Sequence, residues 1–176
     1  MRWTKSLPSA LKVNWKDFAG AAPELAATFE RRLAETQLCL LGTITASGWP
    51  RISPCEAYLV QGELMLGMMW QSRKAHDLLR EPRLTVTTTQ CDRDGAQGDL
   101  KLYGYAAPVE DAARKRALGD VQEAIINWRP TEPFHVFAVD VRRASFISFG
   151  NERRILRWTP DAGVEVLRHP DAAGGT

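Results

Sequence analysis

A hydroxyl group and two cations stand side by side at Ser72, Arg73 and Lys74. The residues that follow predict a short helix that begins at Ser72 and ends near Glu81-Pro82. The first turn of a helix exposes unpaired N–H groups and a partial positive charge, so acidic side chains are expected there rather than cations. Both cations are explained if they share one anion with the N–H groups and the Ser72 hydroxyl, which would make this a phosphate-binding turn. The alternative is an exposed turn on which the two charges are tolerated.

A second segment, Gly48-Trp49-Pro50-Arg51-Ile52-Ser53-Pro54, places an arginine after a hairpin turn and a proline inside the next strand. Proline removes a hydrogen-bond donor from a sheet and marks an edge, a bulge or an interruption of strand pairing. Interrupted backbone is open to a ligand, and Arg51 would lie beside it. The alternative is a plain edge strand with Arg51 facing water.

Apolar periodicity predicts the elements that position these two segments. A helix from Pro23 to about Ala34 is indicated by apolar residues at every fourth position. Asp111 is a candidate N-cap for a further helix, which is longer than the one that begins at Ser72. Its inner face is predicted to consist of Leu118, Val121 and Ile125. Residues 1–20 carry Trp3, Trp15 and Phe18 in an irregular context and are predicted to form a docked N-terminal arm.

Most of the remaining sequence has strand composition, with β-branched and apolar runs between Gly, Pro and Asp turns. Around eight or nine strands with two or three helices at the edges predict a small barrel of mostly antiparallel strands. The predicted strands are 38–45, 51–60, 63–69, 84–89, 100–109, 134–141, 145–149, 154–158 and 164–167.

Composition narrows the class of protein. A chain of 176 residues is the size of one domain, and 23 basic against 21 acidic residues leave a net charge of only +2. This balance does not indicate a nucleic-acid or membrane partner.

The N-terminus lacks a signal-peptide pattern, so we expect a cytoplasmic protein. Cys39, Cys55 and Cys91 form no CxxC pair and are expected to be reduced.

Other motifs give no competing site. His76, His135 and His169 are dispersed, without the spacing of a catalytic metal site, so no metal ligands are predicted. Asp92-Arg93-Asp94-Gly95 imitates the start of a calcium loop, but Tyr103 stands where the closing glutamate is needed, which favours a turn.

Together, the two segments resemble the flavin-binding split-barrel family of the pyridoxamine 5'-phosphate oxidase type. The resemblance spans about residues 25–110. It implies an α+β fold that is mainly β with peripheral helices, built as an antiparallel split β-barrel. It also implies a flavin-binding domain, and because no linker or repeat divides the chain we expect a single domain over residues 1–171. The Gly-rich residues 172–176 are expected to form a disordered tail. The matching pieces occur in the order Gly48-x-Pro50-Arg51-x-Ser53-Pro54, Leu64 to Met69, Ser72-Arg73-Lys74-Ala75, Leu78 and Glu81-Pro82-Arg83.

The resemblance assigns roles to eight residues. Four would hold the phosphate of FMN, namely Arg51, Ser72, Arg73 and Lys74. Another four would lie along the isoalloxazine ring, namely Ile52, Ser53, Met68 and Met69. No side chain is assigned as a catalytic acid or base, because the cofactor carries the redox chemistry.

The implied function is an FMN-dependent oxidoreductase that transfers a hydride between flavin and a small organic substrate. Family members are homodimers with flavin at the subunit interface. The alternatives are a reductase that uses the deazaflavin coenzyme F-420 and a non-catalytic module that carries flavin or haem. Trp70 and Trp158 are expected to be packed in the interior, and the alternative is that they form walls for a planar substrate. The C-terminal residues do not align with the substrate-phosphate segment of true pyridoxamine 5'-phosphate oxidases, so the substrate is left open.

The arginines near the C-terminus discriminate between FMN and the deazaflavin. The deazaflavin has an oligoglutamate tail that needs cations beyond a single phosphate site. If these arginines pair with acids of the chain or face away from the site, FMN is favoured. The candidates are Arg142, Arg143, Arg153, Arg154 and Arg157.

Overall fold

The computed structural model describes residues 12–88, 92–131, 133–149 and 153–169. The sequence predictions for residues 1–11, for Cys91 and for the tail at 172–176 lie outside these ranges. In chain order the elements of the described residues are α1 (Trp15–Ala21), α2 (Pro23–Thr36), β1 (Leu38–Ile44), β2 (Pro50–Val60), β3 (Glu63–Met69), α3 (Arg73–Arg80), β4 (Arg83–Thr88), β5 (Asp99–Pro108), α4 (Ala112–Ile126), β6 (Phe134–Ser148), β7 (Arg154–Thr159) and β8 (Gly163–Leu167).

Six strands close into an antiparallel barrel in the order β3-β2-β1-β4-β5-β6, with β6 returning to pair with β3. Strands β7 and β8 extend the sheet beyond β6. Closure removes the unpaired edges that an open sheet of this size would expose. The fold class predicted from the sequence, mainly β with peripheral helices in an antiparallel barrel, is confirmed.

The β1–β2 hairpin shows why the local sequence adopts this structure. Burial alternates along β1, with Cys39, Leu41 and Thr43 turned into the barrel, as a strand with one covered face requires. Gly48 has a φ of 87°, a left-handed conformation that favours glycine, and it reverses the chain before β2. The hairpin therefore places Arg51 and Ser53 on one face of β2, near the start of that strand.

Strand β6 differs from the prediction of two short strands. It runs for 15 residues without interruption, and its first half closes the barrel against β3 while its second half carries β7. In the sequence prediction, one strand ends at Val141 and the next begins at Ser145. In the structure, Arg142 is instead the extra residue of a β-bulge, where the register with β5 shifts between Tyr103 and Gly104.

Helices α1, α2 and α3 bury side chains in the same core cluster as the inward-facing Cys39 and Leu41 of β1, whereas α4 packs in a second cluster with residues of β2, β3 and β6. The helices also correct part of the sequence analysis. The predicted irregular context around Trp15 and Phe18 is wrong, because both residues belong to α1 and are buried in the core. The predicted inner face of α4 is wrong at Ile125, which is half exposed; the buried position one turn after Leu118 is Gln122. No helix in the described ranges is long and apolar enough to span a bilayer.

Candidate functional site

A cleft of about 810 Å³ opens where the end of β3, the start of α3 and the segment after α4 meet. Its lining combines cations, sulfur-containing side chains and aromatic rings. The lining residues are Leu38, Arg51, Ser53, Pro54, Cys55, Glu56, Gly67, Met68, Met69, Trp70, Ser72, Arg73, Lys74, Gln122, Trp128, Pro130, Thr131, Pro133 and Phe134.

Ser72 is the N-cap of α3, as the sequence predicted. The preceding residue, Gln71, has a φ of 58°, a conformation that non-glycine residues adopt rarely and often at functional turns. The Ser72 hydroxyl does not cap the helix, and its buried oxygen has no hydrogen-bond partner among the described residues. A buried hydroxyl without a partner is costly, so this atom points to a ligand at the helix N-terminus.

Arg73 and Lys74 form the first turn of α3, which contains no acidic residue. Arg73 is exposed, and Lys74 is half-buried and donates a hydrogen bond to the Pro54 carbonyl oxygen at 2.5 Å. Pro54 pairs with Leu40 of β1 without a register shift, while pairing of β2 with β3 begins only at Glu56, so of the three predicted meanings of this proline the structure shows an edge. The Pro54 carbonyl oxygen is thus an acceptor beside the helix N-terminus. Two cations and the positive end of the helix dipole act together on any anion in this part of the cleft.

Arg51 reaches the same region from β2 and is held by an acidic partner. Its Nε donates to the Asp77 Oδ2 at 2.7 Å, and the Thr43 hydroxyl donates to the same oxygen at 2.9 Å. Asp77 is buried on α3, with Arg80 a further 3.7 Å from its other oxygen. The buried carboxylate fixes the direction of the Arg51 side chain and offsets part of its charge.

Seven of the eight residues singled out in the sequence line this cleft, and Ile52 does not. Side chains alternate along a strand, so Arg51 and Ser53 share a face that Ile52 does not share. The Ile52 side chain is 75% exposed, and Met69 at the end of β3 is 81% exposed.

The two tryptophans considered as substrate walls have different positions. Trp70 lines the cleft and stacks on His135, with ring centroids 4.5 Å apart and an angle of 13° between the planes. Burial, reinforced by the charges of His76 and Lys115, lowers the pKa of His135. Trp158 is buried in the core against Phe18, so it has the packing role that the sequence analysis expected and is not a wall of the cleft.

Two buried cysteines face each other across β1 and β2, and Cys55 also lines the cleft. The Cys39 thiol donates to the Cys55 carbonyl oxygen at 3.4 Å. Hydrogen bonding to Cys55, together with burial, raises the pKa of Cys39 well above its usual value. The pKa of Cys55 is lowered by the hydrogen bond from Cys39 and by the positive charge of Lys74. Cys55 is therefore the more acidic thiol of the pair.

Sequence reasoning missed the polar and aromatic residues that complete the cleft. Gln122 stands four positions after Leu118, on the buried face of α4, and this spacing could have drawn attention to it. Glu56 is a lone acid in an otherwise apolar run of β2. Trp128 and Phe134 lie more than 50 positions after Ser72, so no local sequence pattern connects them with it. The three residues share the cleft only in the folded barrel, where β6 pairs with β3.

Comparison with solved structures finds the same fold in proteins of low sequence identity. A haem-binding protein from Mycobacterium smegmatis is 22% identical, with a TM-score of 0.58 over 77% of this chain and 59% of that one. PhzG from Burkholderia lata 383, solved with tetrahydrophenazine-1-carboxylic acid, is 13% identical, with a TM-score of 0.61 over 96% of this chain and 100% of that one. Campylobacter jejuni ChuZ is 16% identical, with a TM-score of 0.66 over 85% of this chain and 63% of that one.

This chain therefore spans only 59% of the length of the mycobacterial protein. A search of curated protein sequences found no match. A family model does match: the pyridoxamine 5'-phosphate oxidase model covers residues 25–148, which include β1 to β6 and the whole Ser72 turn. This chain belongs to the pyridoxamine 5'-phosphate oxidase family.

Proposed function

We propose that the protein binds FMN and transfers a hydride between the flavin and a small organic molecule. The observation that carries this proposal is the buried, unpartnered Ser72 oxygen at the N-terminus of α3, with Arg73 and Lys74 beside it. A terminal phosphate would accept hydrogen bonds from the hydroxyl, the helix N–H groups and the cations at once. Arg51, oriented by Asp77, would complete this set.

The rest of the cleft suits a flat ring system. Ser53, Met68 and Met69 would contact the isoalloxazine, and Ile52 would contribute through its backbone or across a subunit interface. When bound, FMN supplies the two-electron chemistry. The chain's own contribution is to hold the phosphate, orient the ring and exclude water with apolar side chains, so we assign no catalytic acid or base.

The pairing of the C-terminal arginines supports FMN rather than the deazaflavin. All five candidates belong to the described part of the chain, none of them lines the cleft, and Arg153 is engaged within the chain. The contacts of the other four are Arg142 with Asp140 at 2.6 Å, Arg154 with Glu24 at 2.7 Å, Arg157 with Glu165 at 2.8 Å, and Arg143 over the Tyr103 ring at 4.0 Å.

Parallel titrations with FMN and the deazaflavin test this choice. We expect tight FMN binding with a shallow salt dependence, because three cations and one hydroxyl face a single phosphate. Deazaflavin binding should be weak, since its acidic tail would meet arginines that are already engaged. Tighter and strongly salt-sensitive deazaflavin binding would overturn the choice of cofactor while leaving the phosphate site intact.

A haem-carrying module is the alternative that the solved haem-binding relative suggests. The described lining of the cleft contains no histidine. A haem iron in the cleft would therefore have to be ligated by a sulfur atom of Cys55, Met68 or Met69. The absorption spectrum of the purified protein, recorded before any addition, distinguishes a flavin from a haem.

We further propose a homodimer with the flavin at its interface, and we expect the FMN-loaded protein to sediment as a dimer at micromolar concentration. Trp49 and Ile52, which flank the cleft residue Arg51 in the chain, are 73% and 75% exposed, and a symmetric partner would cover such apolar side chains. Ile52→Glu should shift the equilibrium towards monomer and weaken FMN binding. Val166→Glu, on β8, is a matched control with 73% exposure and should do neither. A wild-type monomer that retains FMN would remove the interface from the proposal.

A further inference from the structure

Two cysteine residues lie directly opposite each other at the wall of the cleft. Cys39 on β1 and Cys55 on β2 are register partners in the antiparallel sheet, and both are free thiols. Directly opposed residues of an antiparallel pair point to the same face of the sheet, with Cα atoms about 4.5–5.5 Å apart. A disulfide requires Cα atoms about 4.4–6.8 Å apart. The backbone therefore holds this pair at a separation that a disulfide can bridge.

The two thiols are also in contact with each other. The Cys39 thiol donates to the carbonyl oxygen of Cys55 at 3.4 Å, and a hydrogen bond between the two side chains is the largest influence on the pKa of each. Both side chains are buried in the same core cluster. A bond between the two sulfur atoms therefore requires rotation of the side chains and no separation of β1 from β2.

The two cysteines differ in their access to the cleft and in their acidity. Cys55 lines the cleft, whereas Cys39 does not. Next to Cys55, the Pro54 carbonyl oxygen holds the Lys74 ammonium group at 2.5 Å. The hydrogen bond from Cys39 and the charge of Lys74 lower the pKa of Cys55, against burial and the charge of Glu56. Because the thiolate is the reactive form of cysteine, Cys55 is the thiol that a reagent in the cleft would attack.

We propose that Cys39 and Cys55 form a site of reversible oxidation, at which a peroxide that enters the cleft converts the two thiols into a disulfide. Cys55 attacks the peroxide, and Cys39 resolves the product. This site goes beyond the proposed function and does not depend on which cofactor the cleft holds.

The oxidation takes place in two balanced steps. The Cys55 thiolate attacks one oxygen of hydrogen peroxide, the O–O bond breaks, and Cys55 becomes a sulfenic acid. The hydroxide that leaves takes up the proton that the Cys55 thiol gave up, which forms water. The Cys39 sulfur then attacks the Cys55 sulfur, the S–O bond breaks, and the hydroxyl group leaves with the Cys39 proton as a second water. The thiol pair loses two electrons, and the peroxide gains them.

Oxidation would also change the wall of the cleft. The Cys55 thiol donates to the carbonyl oxygens of Glu56 at 3.4 Å and Gly67 at 3.5 Å, and both of these residues line the cleft. A disulfide sulfur has no hydrogen atom to donate. The modification therefore exchanges a thiol donor in the wall for a covalent link between β1 and β2.

Hydrogen peroxide added to the folded, full-length protein tests the proposal. A Cys91→Ser background removes the third cysteine of the sequence. In this background we expect the protein to lose the mass of two hydrogen atoms and to give a cross-linked Cys39–Cys55 peptide in a non-reducing digest. Dithiothreitol should restore both thiols. Circular dichroism monitors the fold, and the wild type should give the same cross-linked peptide.

Two variants in the same background separate the roles of the cysteines. In Cys39→Ala, the Cys55 side chain should stop at the sulfenic acid, which dimedone traps as an adduct that mass spectrometry detects. Cys55→Ala is the matched control, because it keeps the thiol that lies away from the cleft. Its Cys39 should react with peroxide at least about tenfold more slowly, since little of this thiol is ionised.

Several outcomes would contradict the proposal. A folded protein that forms no Cys39–Cys55 cross-link, a cross-link to Cys91 as the main wild-type product, or a product that dithiothreitol does not reverse would each overturn it. Oxidation of Cys39 in Cys55→Ala as fast as that of Cys55 in Cys39→Ala would overturn the assigned roles. If an alanine variant does not fold, the wild-type peptide still decides whether the disulfide forms. Failure to bind FMN would contradict the proposed function alone.

Discussion

Replacing Lys74 or Arg73 with alanine is expected to weaken FMN binding at least about tenfold in each case, because a charge-assisted hydrogen bond to phosphate is worth about 1.5–3 kcal/mol. Both residues lie in the first turn of α3 and line the cleft. Neither side chain belongs to the hydrophobic core, so the free energy of unfolding should change little. Flavin fluorescence titration measures the affinity, and thermal unfolding monitors the fold.

Arg116→Ala is the matched control for charge. Arg116 is exposed on α4 and lies outside the cleft, so its removal lowers the net charge equally without touching the site. Arg51→Ala is a less clean test, because it would leave the buried Asp77 without its closest cation and cost stability as well as affinity. Unchanged FMN affinity in both Lys74→Ala and Arg73→Ala would disprove the phosphate assignment.

Gly104→Ala is expected to lower the free energy of unfolding by about 3 kcal/mol or more, at the upper end of overpacking costs. Gly104 lies at the β-bulge between β5 and β6. A Cβ at this position would overlap the carbonyl oxygen of Asp140 and lie 3.0 Å from its carbonyl carbon. Both obstacles are backbone atoms, so relief requires the two strands to separate at the longest ladder of the barrel.

Gly42→Ala on β1 is the control for this substitution. There the nearest atom to a new Cβ is the Thr85 Cβ at 3.5 Å, an ordinary contact, so the change in unfolding free energy should stay within about 1 kcal/mol. Urea unfolding followed by two spectroscopic probes measures both variants. Equal effects at the two positions would show that the bulge accommodates a side chain.

Local sequence patterns predicted most of the elements and the cationic turn. The spacing of apolar residues located α2, the β1–β2 hairpin and β3, and the cations against the helix dipole located the turn at Ser72. These features can be predicted because each depends on the spacing of residues within one short segment of the chain. The same reasoning failed at β6, because a bulge absorbs one residue inside a continuous strand and leaves no distinctive residue pattern.

The sequence by itself determined the fold class and the types of residue that could hold a phosphate, since both follow from alternation, capping and charge within short segments. Only the tertiary structure decided which residues share the cleft. Pairing of β3 with β6 brings Phe134 towards Met69, and α4 packing brings Gln122 to Glu56, 66 positions away in the chain. The tertiary structure also decided that Trp70 lies at the cleft and that Trp158 is buried in the core. Barrel closure is a long-range event, and its consequences for a site cannot be read from any one segment.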